Sequence, residues 1–119
     1  MDDRGRKDGG RVLQLPPRED QAWQIIRQIA NRDDGGVFLT QHAKERMLQR
    51  HVSRVQIIHV LKSRHSVMTE GPYLNPAGDC VCKIAGYSAG QTLMLAVAIR
   101  NSARSNAQTE QLVIITVMH

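Results

Sequence analysis

The chain has 119 residues, 41% of them hydrophobic and 3% aromatic, with 16 Lys and Arg against 11 Asp and Glu, a formal net charge of +5 and a pI near 9.8. That length supports one domain with a core large enough to need no staple, and the basic balance points to polyanions such as RNA, DNA or anionic lipid. No run approaches the ~18 apolar residues of a membrane span, and the polar N-terminus reads as carrying no signal peptide, so a cytoplasmic protein without membrane contact is expected.

Residues 1–17 read as a flexible basic tail that closes on Pro16-Pro17, and residues 18–119 as a single domain. After Pro17, the apolar residues Ala22, Ile25, Ile26, Ile29 and Ala30 recur at three and four, with Glu19 and Asp20 placed where a helix N-terminus favours anions. This helix is expected to end near Asn31–Asp34, ahead of Gly35-Gly36. Val37-Phe38-Leu39 is a short apolar run, read as a strand stub or a turn of chain under the helices. Thr40 is a plausible N-cap for a helix that buries Ala43 and Met47, with Leu48 beside them, and ends near His51. Ser53-Arg54-Val55-Gln56 fits a capping box opening a third helix, with Val55, Ile58 and Leu61 turned inward.

From His65 the period shifts toward two. Strands are expected over 66–70, 79–85, 92–100 and 112–118, separated by the Gly71–Pro76 loop, a turn at 86–90 and a polar loop at 101–110. Cys80, Cys82 and Ile84 then share one face, with Val81, Lys83 and Ala85 on the other. The two cysteines are too poorly placed to bond each other, and the chain has no second pair to complete a metal site. They read as small buried apolar residues. Helices followed by a sheet make an α+β fold, with the helices packed on one face of a mainly antiparallel sheet of about four strands.

The segment richest in chemistry is 40–50. On a helix, His42, Arg46 and Arg50 stand at i, i+4 and i+8, so three cationic or protonatable groups share one face. Such a row is unfavourable unless an anion answers it, and a phosphate is the simplest answer to a fork of guanidinium donors. The aromatic residues Trp23, Phe38, Tyr73 and Tyr87 form no alternating strand pattern, so any contact with nucleic acid is expected through phosphate and hydrogen-bond donors rather than base stacking.

The run Thr40-x-His42-Ala43-x-x-Arg46-Met47-x-x-Arg50, followed by His51-Val52-Ser53 opening another helix and by strands closing on Val113-Ile114-Ile115-Thr116-Val117, resembles a bacterial and phage family classed as a domain of unknown function. The resemblance covers about residues 37–119, and the chain carries His51 where that family usually has Gly. The family in turn resembles the RelE and BrnT-like toxins of toxin–antitoxin systems. This implies a RelE-like sheet with helices on one side, RNA (on the ribosome or as free mRNA) as substrate, and a cognate antitoxin protein as partner. It also implies a metal-independent endoribonuclease that needs no cofactor.

Such cleavage needs a base for the 2′-OH, donors for the charge that builds on the phosphate, and an acid for the 5′-oxygen. His42, Arg46, Lys83 and His119 are the catalytic candidates, and Arg50 and Arg100 the substrate-binding ones. His titrates nearest neutrality, whereas Arg keeps its proton and serves charge stabilisation. Each candidate has a structural alternative. His42 can bridge helix to sheet, Arg46 can pair with Glu45, Glu70 or Asp79, and Arg50 can answer a helix C-terminus. Lys83 and Arg100 can be ordinary strand surface, and His119 a frayed end. The competing function is a binding module, on the same fold, that contacts nucleic acid or protein without cutting.

Overall fold

The computed structural model describes residues 17–32, 36–101 and 110–118. Three helices, α1 (Glu19–Ala30), α2 (Gln41–Arg50) and α3 (Arg54–Lys62), accompany five strands: β1 (Val37–Leu39), β2 (Val67–Leu74), β3 (Cys80–Ser88), β4 (Gln91–Asn101) and β5 (Glu110–Met118). The strands form one sheet in the order β1-β5-β4-β3-β2. The fold is α+β as expected, but the sheet has five strands rather than four and is mixed, because β1 runs parallel to β5 with Val37 opposite Leu112 and Leu39 opposite Ile114. Most of the expected N-terminal tail, the 102–109 loop and the terminal His119 lie outside the described residues.

All three helices bury their apolar sides on one face of the sheet. Ala22, Trp23, Ile26 and Ile29 of α1, Ala43 of α2, and Ile57, Val60 and Leu61 of α3 meet Cys82 and Ile84 of β3, Leu93, Leu95 and Val97 of β4, and Leu112, Ile114 and Val117 of β5 in one continuous core. The period-two alternation places these strand residues together, and burying a Leu or Ile side chain contributes about 2 kcal/mol. On the opposite sheet face Val81, Ala98 and Val113 form a smaller apolar cluster with Ile115 against it.

Three local expectations differ from the structure. In α3 the inward residues are Ile57, Val60 and Leu61, whereas Val55 is 77% exposed and Ile58 only half-buried. Five of the nine α3 residues are large and apolar, so their spacing fits more than one helical face, and packing on β3 and α1 selected between them. Leu48 of α2, expected beside Ala43 and Met47, is 80% exposed. Gly71-Pro72, expected in a loop, lies inside edge strand β2 across a cis peptide, where the β2–β3 register shifts. Proline is tolerated there because an edge strand has one unpaired side. Gly71 has φ +92°, and a Cβ at that position would lie 2.7 Å from the Val81 carbonyl oxygen.

Helix ends follow the sequence closely. Ser53 Oγ accepts the Gln56 N–H at 3.2 Å while Gln56 Oε1 accepts the Ser53 N–H at 2.9 Å, a reciprocal cap at the start of α3. At the end of α2, His51 adopts the left-handed conformation (φ 55°, ψ 47°), and the Val52 N–H returns to the Met47 carbonyl at 2.9 Å. The tight turn that ends α2 is therefore made by a non-glycine residue in the left-handed region.

Candidate functional site

Thr40 anchors the helix that carries the His/Arg stripe. Its backbone N–H continues the β1–β5 ladder to the Ile114 carbonyl at 3.2 Å, and its Oγ1 accepts the Ala43 N–H at 3.0 Å. The same hydroxyl donates to the Ile115 carbonyl at 2.9 Å. Ile115 is the residue left over where the β4–β5 register slips, since Val97 faces Ile114 while Ala96 faces Thr116. One side chain thus caps α2 and ties its first turn to a β-bulge in the sheet.

From that anchor α2 projects His42 and Arg46 outward. Arg46 Nε donates to His42 Nε2 at 3.5 Å, and one Arg46 Nη donates to Gln49 Oε1 at 3.3 Å. The first contact uses the lone pair of His42 Nε2, so it forms with the Nδ1–H tautomer. Two of the five guanidinium N–H donors are occupied, leaving others for a ligand. Among the described residues no ion pair involves α2, and Glu45, Glu70 and Asp79 all leave Arg46 uncompensated. Arg50 is differently placed: it is half-buried at the end of α2, and its Nε is buried without a hydrogen-bond partner.

The strand candidates stand apart from this group. Lys83 neighbours Cys82 and Ile84 on β3, both of which enter the helix-side core, so its own side chain faces the other side of the sheet, where Nζ pairs with Glu70 Oε1 at 3.0 Å. Arg100 also lies off the core-facing stripe of β4 and pairs with Asp79 Oδ2 at 3.5 Å. Lys83 faces Ala96, so Arg100 is four residues further along β4, ~13 Å at strand spacing. The structure therefore joins His42 to Arg46 on the helical layer, sets Lys83 and Arg100 on the opposite sheet face, and pairs each of the latter with a carboxylate.

A signal in the sequence marks the same region. Residues 41–65 contain six Lys and Arg (Lys44, Arg46, Arg50, Arg54, Lys62, Arg64) and one acid, Glu45, which accounts for the whole +5 of the chain; the remaining ten bases are matched by ten acids. The net charge thus belongs to α2, α3 and their flanks. Over so short a stretch such an imbalance raises the local potential and draws anions to it.

Elsewhere the polar contacts are structural. Arg27 stacks on Trp23, 4.5 Å from the ring centre, and donates to the Ser63 carbonyl at 3.2 Å, closing α1 on α3. His59 Nδ1 meets the buried Ser88 Oγ at 2.9 Å. Both cysteines are buried free thiols; burial pushes Cys80 up, and burial followed by the neighbouring Cys80 pushes Cys82 up to about 12. Among the described residues no group of His, Cys, Asp and Glu is arranged to hold a metal ion, and no helix is long and apolar enough to cross a membrane.

Residues 39–119 match the family model described as Domain of unknown function (DUF4258), and the chain belongs to that family. No curated protein and no solved structure is significantly similar to it.

Proposed function

We propose that this DUF4258 protein binds RNA through α2 and cleaves it as a RelE/BrnT-like toxin, without a metal, and that an antitoxin protein silences it. The observation that carries this reading is the His42–Arg46 pair, with His42 exposed and Arg46 half-buried, on a helix that makes no ion pair among the described residues and sits in the segment holding all the net charge. His42 is the second residue of α2, close to the positive end of the helix dipole, which adds to the attraction for a phosphate.

In the proposed reaction His42 Nε2 removes the 2′-OH proton, and the 2′-oxygen attacks phosphorus. Arg46 holds the charge that grows on the non-bridging oxygens, the 5′-oxygen leaves with a proton from a second titratable group, and the products are a 2′,3′-cyclic phosphate and a 5′-hydroxyl. His119, outside the described residues, is the candidate acid. The carboxylate partners of Lys83 and Arg100 assign those two to sheet structure in this scheme rather than to the reaction.

Binding without cleavage is the second reading. It is favoured by the single imidazole set against Arg46, since the described residues supply no acid beside it. The experiment that separates the two incubates end-labelled single-stranded RNA with the full chain in EDTA, with binding measured across a salt series. Cleavage predicts cyclic-phosphate ends, their loss in His42→Ala and a fall of roughly 100-fold or more in Arg46→Ala. Binding alone predicts intact RNA, with a salt slope that falls by about 0.7 when one phosphate contact is removed in Arg46→Ala. RNA neither cut nor bound by the wild type refutes both.

A further inference from the structure

The outward face of α3 supplies no reacting group to that scheme, although its Arg54 and Lys62 belong to the basic segment. It lines an open groove of about 500 Å³ formed by Arg54, Val55, Ile58, His59, Lys62 and Ser63. Val55 presents 77% of its surface to water, and the half-buried Ile58 forms an apolar floor. Every charged side chain among the described lining residues is basic. Lys62 and His59 are exposed, and Arg54 gives one N–H to the Val37 carbonyl at 2.9 Å, leaving further donors for a ligand.

We propose that this face docks an acidic amphipathic helix of a partner protein, its apolar side chains covering Val55 and Ile58 and its carboxylates meeting Lys62, His59 and Arg54. The charge pattern selects the partner: cations without a carboxylate among them attract an anion. The apolar floor then separates the two kinds of anionic partner. A phosphate backbone has no side chain to cover Val55 and Ile58, whereas a helix carrying Leu or Ile at i, i+3 or i+4 and i+7 between glutamates supplies both contacts. The nine residues of α3 span ~14 Å at 1.5 Å per residue, enough for two to three turns of a helix laid alongside. The docking face stands independently of RNA cleavage, because it uses none of His42, Arg46 and Arg50.

The test uses the full chain and a labelled, roughly 15-residue Glu/Leu peptide designed as an amphipathic helix. Its comparators are a scrambled peptide of the same composition, a Lys/Leu counterpart and a short single-stranded RNA, all read by fluorescence polarisation. The acidic helix is expected to bind and the Lys/Leu peptide not to. Val55→Asp, at an exposed position that leaves the core intact, and Lys62→Glu should each weaken binding about tenfold. His42→Ala and Arg46→Ala should leave it unchanged. The inference is overturned if the acidic helix does not bind, if the scrambled peptide binds equally well, if Val55→Asp has no effect, or if RNA competes through Val55 and Lys62. RNA cleavage without peptide capture would overturn this inference alone, and peptide capture without RNA contact would overturn the earlier reading alone.

Discussion

Thr40→Val is the most informative perturbation of the scaffold, because it keeps the side-chain volume and removes only the hydroxyl. In the native chain that oxygen accepts from Ala43 N–H at 3.0 Å and donates to the Ile115 carbonyl at 2.9 Å, both partly buried. Loss of a Thr N-cap costs about 1 kcal/mol, and loss of a neutral hydrogen bond to a partly buried carbonyl costs about 1 kcal/mol more. The expected destabilisation is therefore about 2 kcal/mol, or a fall of about 8 °C in Tm for a domain of this size. Urea and thermal unfolding followed by circular dichroism would measure it. Thr40→Ser keeps both hydrogen bonds and should recover most of the loss. A change below about 0.5 kcal/mol in Thr40→Val, or a Ser variant as unstable as the Val variant, would refute the claim that one hydroxyl holds α2 to the bulge of β5.

Two further outcomes follow from other parts of the fold. His51→Gly should raise stability by about 0.5–1 kcal/mol, seen as a higher urea midpoint, because a left-handed L-residue costs about 1–2 kcal/mol and Gly gives back only part of that gain through a freer unfolded chain. Cys82 bears on alkaline stability. Its folded value, pushed up to about 12 chiefly by burial, lies above the ordinary 9.0 of an exposed thiol, so the folded chain keeps the proton that the unfolded chain releases between these values. Its contribution is complete below about pH 9 and is lost as pH rises toward 12, at about 1.4 kcal/mol per pH unit in between. Between pH 8 and pH 10 the wild type should therefore lose about 1.4 kcal/mol more than Cys82→Ala in urea unfolding, and parallel pH profiles would contradict the assignment.

Capping and alternation were legible because they depend on neighbours in the chain. Thr40 and Ser53 announced their helices through side chains that reach backbone groups three residues on. The Cys80/Cys82/Ile84 and Leu93/Leu95/Val97/Ile99 stripes announced which sides of β3 and β4 would face the core. The His42–Arg46 contact was legible for the same reason, since a helix brings i and i+4 together without help from the rest of the molecule. The face of α3 was not. Val55, Ile57, Ile58, Val60 and Leu61 surround much of that helix, and only docking on the sheet could decide that Val55 would remain in water.

Local spacing by itself determined an α+β order, three helices with their ends, the inward sides of β3 and β4, and the contact of His42 with Arg46 on α2. Tertiary structure alone decided that β1 would pair in parallel with β5, that Glu70 would lie opposite Lys83 and Asp79 beside Arg100, and that these pairs would stand on the sheet face away from α2. The division has a physical cause. Capping, helical spacing and strand alternation are set by backbone geometry within a few residues, whereas strand partners, bulges and opposed charges are chosen by how well distant segments pack, which no short stretch of chain encodes.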